Sequence, residues 1–181
     1  KRRWMGSGMS ILMTAQRCRF LFLMPWRSSK PKSVDRTRIA DKVPAGRILI
    51  RRAGVCYILG RNDDALRDAQ AAVGLLAGAG DLIWEARALH WRAAVYLAMG
   101  DIERADLDYA RVESLWLDCD QQLEYASARQ ERGLAAHARG DLPTALAHLD
   151  HAQTLYDQLG VFEADLFVNK CTVLLAAGLA R

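Results

Sequence analysis

The sequence predicts an all-α solenoid built from helix–turn–helix repeats with a period of about 40 residues. Three observations predict it. Gly60, Gly100 and Gly140 are evenly spaced, at an interval in the range of helical repeat arrays. Like residues then fall in columns around them: Arg52, Arg92 and Arg132 eight before, Ala53, Ala93 and Gly133 seven before, Ala65, Ala105 and Ala145 five after, and Leu75, Leu115 and Leu155 fifteen after. Apolar residues between the columns recur at i, i+3 and i+4, as a helix that buries one face requires.

Residues 1–43 lack the repeat. They hold 11 Lys or Arg against 2 Asp, a net +9, whereas the remainder of the chain is −5. The pI of 9.0 therefore comes from this segment, and the array is not expected to bind nucleic acid. The apolar run Phe20 to Trp26 is interrupted by Arg17, Arg19 and Arg27, far short of the ~20 apolar residues a membrane span needs. No small-residue cleavage site follows a clean apolar core, so a signal peptide fits poorly. The basic stretch from Ser28 to Pro44, broken by Pro31, reads as a linker or disordered. Residues 1–43 are accordingly expected to be poorly ordered. Alternatives are a degenerate repeat, or a membrane-surface anchor using Trp4, Phe20, Phe22 and Trp26.

The array is expected over 44–181, in units of about 44–80, 81–120 and 121–160, with a truncated fourth unit at 161–181. Gly60, Gly100 and Gly140 are placed to end the first helix of each unit, because glycine tolerates the left-handed backbone there. The second helices open on Arg61-Asn62-Asp63-Asp64-Ala65, Asp101-Ile102-Glu103-Arg104-Ala105 and Asp141-Leu142-Pro143-Thr144-Ala145. Asp caps free N–H groups, acids suit the helix dipole, and Pro143 is harmless in a first turn. Three stripes are expected to be buried: Ala86, Leu89, Ala93, Tyr96 and Leu97; then Ala105, Tyr109, Val112, Leu115 and Trp116; then Ala145, Leu149, Ala152, Leu155, Tyr156 and Leu159. Ala53, Ala93 and Gly133 would let paired helices approach closely, with Ala65, Ala105 and Ala145 opposite. In the fourth unit, Val161 to Gly178 forms a first helix whose apolar face, including Leu166, Val173 and Leu174, is expected to be bare. That end implies a fragment of a longer protein, or a partner over that face.

These residues resemble the tetratricopeptide repeat, whose signature W-x2-L-G-x2-Y then A-x3-F is approached by Leu89-x2-Arg92-Ala93-x2-Tyr96 with Ala105-x3-Tyr109. Arg129-x2-Arg132-Gly133-x2-Ala136 with Ala145-x3-Leu149 is similar, and Leu49-x2-Arg52-Ala53-x2-Cys56 with Ala65-x3-Ala69 is weaker. Arg replaces the signature Leu in all three units, and longer second helices are expected to absorb the residues beyond the usual repeat length. The resemblance implies a right-handed superhelix with a concave groove lined by first helices. By that resemblance Arg47, Ile50, Tyr57, Arg87, His90, Leu97, Ser127, Gln130 and His137 would face the groove. The Asn of carboxylate-clamping members is replaced by Gly54, Ala94 and Leu134. More narrowly, Gln130-Glu131-Arg132-Gly133, Tyr156-Asp157-Gln158-Leu159-Gly160 and Leu174 to Arg181 look like the repeat region of bacterial CHAT-domain proteins, which are caspase-like. This implies a recognition arm whose catalytic domain lies outside the chain.

No residue set for catalysis is present: there is no H-E-x-x-H, phosphate-binding Gly-rich loop or nucleophile elbow. The cysteines Cys18, Cys56, Cys119 and Cys171 share no C-x-x-C spacing and are expected to be reduced in a cytoplasmic protein, with Cys56 and Cys119 in buried stripes. His148 and His151 share a helix face and could be joined by Asp150 and His137 at a metal, but they are expected to be solvated instead. No cofactor or metal is expected. The column Arg52, Arg92 and Arg132 either grips carboxylates of a partner or pairs with acids of adjacent helices while its stems cover the core; the structural role is preferred. The expected function is non-catalytic binding of a peptide or partner domain, with a missing C-terminal domain of the same protein among the possible partners. Alternatives are the sensing arm of a transcriptional regulator and a peripheral membrane adaptor.

Overall fold

The computed structural model describes residues 36–178, all in helices and turns. Seven helices follow in order: α1 Arg36–Ile58, α2 Asn62–Leu76, α3 Leu82–Ala98, α4 Ile102–Asp118, α5 Gln122–Arg139, α6 Leu142–Gln158 and α7 Ala164–Ala176. Each packs chiefly on its sequence neighbours, and α1 also reaches α3. The expectations for residues 1–35 and 179–181 lie outside the described residues. Residues 36–43, however, belong to α1, which passes through Pro44. The expected start of the array at 44 thus falls inside a helix.

The left-handed turns recur at half the interval of Gly60, Gly100 and Gly140, because a second set falls between them. Gly60, Gly100, Gly140 and Gly160 all take positive φ, and so does Asp120 (φ 54°), alone among the described non-glycine residues. At each, the next N–H reaches back to close the helix: Arg61 to the Cys56 carbonyl (2.8 Å), Asp101 to Tyr96 (2.9 Å), Gln121 to Trp116 (2.9 Å), Asp141 to Ala136 (3.0 Å) and Val161 to Tyr156 (2.9 Å). This paired-bond closure consumes carbonyls that a helix end leaves orphaned. Asp81, Asp101 and Asp141 cap the helices that follow, accepting from the N–H of Trp84, Arg104 and Thr144.

In the second and third units, equal spacing of turns makes the helices nearly equal. The two helices of the second unit, α3 and α4, are both 17 residues long, so the extra residues are shared between helices, not placed in the second as expected.

Burial follows the columns. Ala53, Ala93, Ala65, Ala105 and Ala145 are fully enclosed. A Cβ added at Gly133 would meet the Leu149 side chain at 2.9 Å and the Ala145 carbonyl at 3.2 Å, so α5 and α6 are in backbone contact there. The stripes of α3 and α4 are buried throughout; in α6, Leu159 is exposed because it is the C-cap, beyond the last packed turn. Cys119 likewise caps α4 and is only partly buried, while Cys56 is buried and Cys171 exposed; all three are free thiols.

On α7 the expected face is reversed. Leu166 and Val173 are buried, as is Asn169, Leu174 is half-buried, and Phe167, Val168 and Leu175 are bare, with Phe162 just before the helix. Steps of about 100° per residue put the two sets on opposite sides. Leu166 and Val173 join Ala152 and Tyr156 of α6 in one apolar cluster.

Candidate partner-binding site

The column Arg52, Arg92 and Arg132 is satisfied internally. Arg52 donates from Nε and Nη2 to both oxygens of buried Asp68 on α2. Arg92 does the same to Asp108 on α4, both at 2.7 Å, and this bond holds its guanidinium above the ordinary range. Planar forks of this kind are strong and directional.

The third unit differs. The position of Asp68 and Asp108 is occupied by His148. Arg132 turns back instead to α4, donating from Nε to Asp106 (3.0 Å) and from Nη1 to Glu113 (3.1 Å). Glu113 also receives Arg129 (3.3 Å), which in turn donates to His151 Nδ1 (3.0 Å from Nε). Accepting there requires a neutral His151 ring with its proton on Nε2. His148 and His151 are therefore half-buried beside this network, not solvated as expected. Lost hydration, then the charges of Arg132 and Arg129, lower His148 to about 4. No group of three His, Cys, Asp or Glu among the described residues could hold a metal ion.

Of the residues placed in the groove by resemblance, Tyr57, His90 and Gln130 sit in the core, as do Ile50 and Leu97. Tyr57 meets Trp91 edge-on at 5.7 Å. His90 lies edge-on to Tyr109 at 5.6 Å, and burial lowers it to about 4. Gln130 accepts from the Tyr156 hydroxyl at 3.2 Å. Close packing of successive helices removes this row from any surface. His137 and Ser127 are half-buried, with His137 in the last turn of α5, where a cation would suit the dipole.

Arg47 and Arg87 are different. Their guanidinium carbons lie 4.8 and 4.7 Å from the centroid of the Trp84 ring, within cation–π range. Arg47 also binds Asp81 at 3.0 Å. Arg87 has no carboxylate within salt-bridge distance among the described residues, and its buried Nε has no acceptor. Lost hydration lowers its pKa, outweighing the more distant Glu124 and Asp81, while Arg47 and Arg51 add repulsion. Arg87 is thus a partly buried cation on an aromatic ring whose Nε donor is left without an acceptor. Sequence reasoning named both arginines but missed Trp84; the signal was its position three before Arg87, on the same helix face.

The fold has a counterpart among solved structures. The crystal structure of BtubC (BKLC) from P. vanneervenii matches with a TM-score of 0.67 at 18% identity, over 95% of this chain and 68% of that one. Identity that low shows the fold alone. The chain has a helical-repeat fold. No protein-family model matches it, and no match was found among curated proteins. Among the described residues no helix is long and apolar enough to cross a membrane.

Proposed function

We propose that the array is a non-catalytic interaction module of tetratricopeptide type, which holds an acidic peptide or partner segment on its first helices. The observation that carries this reading is Arg87: a partly desolvated guanidinium on Trp84, with no carboxylate in salt-bridge reach among the described residues. Arg47 and Arg51 add positive charge on the adjacent first helix. An Asp or Glu side chain, or a C-terminal carboxylate, would satisfy the fork that Arg87 leaves open. The runs around Gln130-Glu131-Arg132-Gly133 and Tyr156 to Gly160 support a narrower reading, the recognition arm of a caspase-like CHAT protein.

An array of extended peptides graded in Asp and Glu content tests this. Acidic members are expected to bind, and Arg87→Ala to weaken them about 10- to 100-fold, the worth of a charged hydrogen bond, with helicity unchanged. Arg87→Lys recovers only part, because the ammonium cannot stack and fork together. Binding that ignores peptide acidity, or that survives Arg87→Ala, contradicts the reading.

A further inference from the structure

The bare face of α7 consists of Ala164, Phe167, Val168, Cys171, Thr172, Leu175 and Ala176, all exposed and none charged. Phe167 stacks on Phe162 at 5.4 Å, and Phe162 and Leu175 are 75% and 66% exposed. These positions have counterparts upstream. The Gly178 N–H bonds the Leu175 carbonyl as Gly60, Gly100 and Gly140 bond Tyr57, Leu97 and His137, which fixes the register of α7 against α1, α3 and α5. In that register Cys171 matches Ala53, Ala93 and Gly133, and Ala164 matches Gly46, Ala86 and Ala126, every one of them buried. Leu175 matches Tyr57 and Leu97, which are buried, and His137, which is half-buried.

What buries the matching positions is known. Ala93 clusters with Ala105 and Tyr109 of the following helix, and Ala53 with Ala65 and Ala69. Gly133 abuts Ala145 and Leu149. The same register makes Lys170 the fourth member of the Arg52, Arg92, Arg132 column. It reaches back to Gln153 (2.6 Å) and Asp150 (2.6 Å) on α6, as Arg132 reaches back to Glu113, which stands one repeat before Gln153. So α7 is a first helix in sequence and in pairing, and its exposed face continues the interface that α1, α3 and α5 make with their second helices.

We propose that this face docks an amphipathic helix of the second-helix kind, with alanine opposite Cys171 and a large residue four positions on. The alanine permits the close approach seen at Ala65, Ala105 and Ala145, and the larger residue packs beside Cys171 as Leu149 packs beside Gly133. Recognition is helix against helix, by shape and apolar area.

The array carries its own probe, a peptide reproducing residues 141–158. Added in trans to the full chain, it is expected to gain helicity and to slow alkylation of Cys171, followed site by site with mass spectrometry, at least fivefold. Cys56 and Cys119 keep their rates. Phe167→Glu or Leu175→Glu in the protein, each checked by circular dichroism for an intact array, abolishes the protection. So does Ala145→Trp in the peptide, which leaves the protein untouched. Equal protection by the wild-type and Ala145→Trp peptides overturns the proposal, as does no protection at millimolar peptide. A dimer in sedimentation that shields Cys171 without peptide also overturns it, in favour of a second copy as the occupant.

Discussion

The first two units and the third carry the same arginine and use it in opposite directions. Arg52 and Arg92 fork onto Asp68 and Asp108 of their own second helix. Arg132 finds His148 at that place and ties α5 to α4 of the preceding unit. One column thus holds helices together within units at one end of the array and between units at the other. The residue opposite decides which. A repeated cation is not evidence of a binding ladder until its intramolecular acids have been found.

The largest way to break this contrast is Arg92→Ala. It strands the carboxylate of buried Asp108, and removing one partner of such a pair costs about 2–3 kcal/mol here, since Arg92 keeps some solvent access. Urea unfolding of Arg92→Ala and Asp108→Ala, alone and combined, should give a double mutant less impaired than the sum of the singles. Additive losses would deny the pairing.

The pH dependence sharpens the same contrast, because the groups that shift stand at different levels of the array. His90 and His148 fall from 6.5 to about 4 on folding. The unfolded chain then binds more protons between those values, so their contribution is full above pH 6.5 and is lost as the pH falls towards 4. Glu131, which accepts from the Tyr109 hydroxyl, moves the other way: lost hydration raises it from 4.5 to about 7. Its contribution is full below 4.5 and is lost as the pH rises through 7. Urea midpoints against pH should therefore lose their acid slope in part with His148→Asn, and the opposing slope with Glu131→Gln. Unchanged profiles would place both groups in water.

A smaller effect comes from His148→Asp, which restores the acid of the first two units. Arg132 should then couple to residue 148 by about 1 kcal/mol in a double-mutant cycle, and its coupling to Glu113 should fall. Smaller still, Asp120→Gly should raise stability by about 0.5–1 kcal/mol, since Asp120 holds a backbone suited to glycine; thermal unfolding reads it.

Much of this was legible in the sequence. Glycine spacing, small-residue columns and helical stripes point to the fold, because each reports a local requirement: a left-handed turn, a close approach, a buried face. The acids opposite the arginines were legible too, as the column Asp68, Asp108, His148, but they emerge only when the search extends past the turn to the facing helix. The groove row was not legible. Tyr57, His90 and Gln130 could face either a partner or the next helix, and their burial depends on how tightly successive units pack, which no single unit encodes. The bare side of α7 was placed on the opposite face, since Leu166, Phe167, Val173 and Leu174 are all apolar and periodicity alone could not choose between two apolar faces.

The central claim is a division of labour between two arginines of α3, Arg92 holding the fold and Arg87 facing a ligand. The direct measurement sets Arg87→Ala beside Arg92→Ala and reads both unfolding and binding to the acidic peptides. The account predicts that Arg87→Ala keeps the wild-type midpoint and loses binding, while Arg92→Ala loses stability and, where still folded, binds as wild type. Binding lost with Arg92→Ala in the folded state and kept with Arg87→Ala would contradict it.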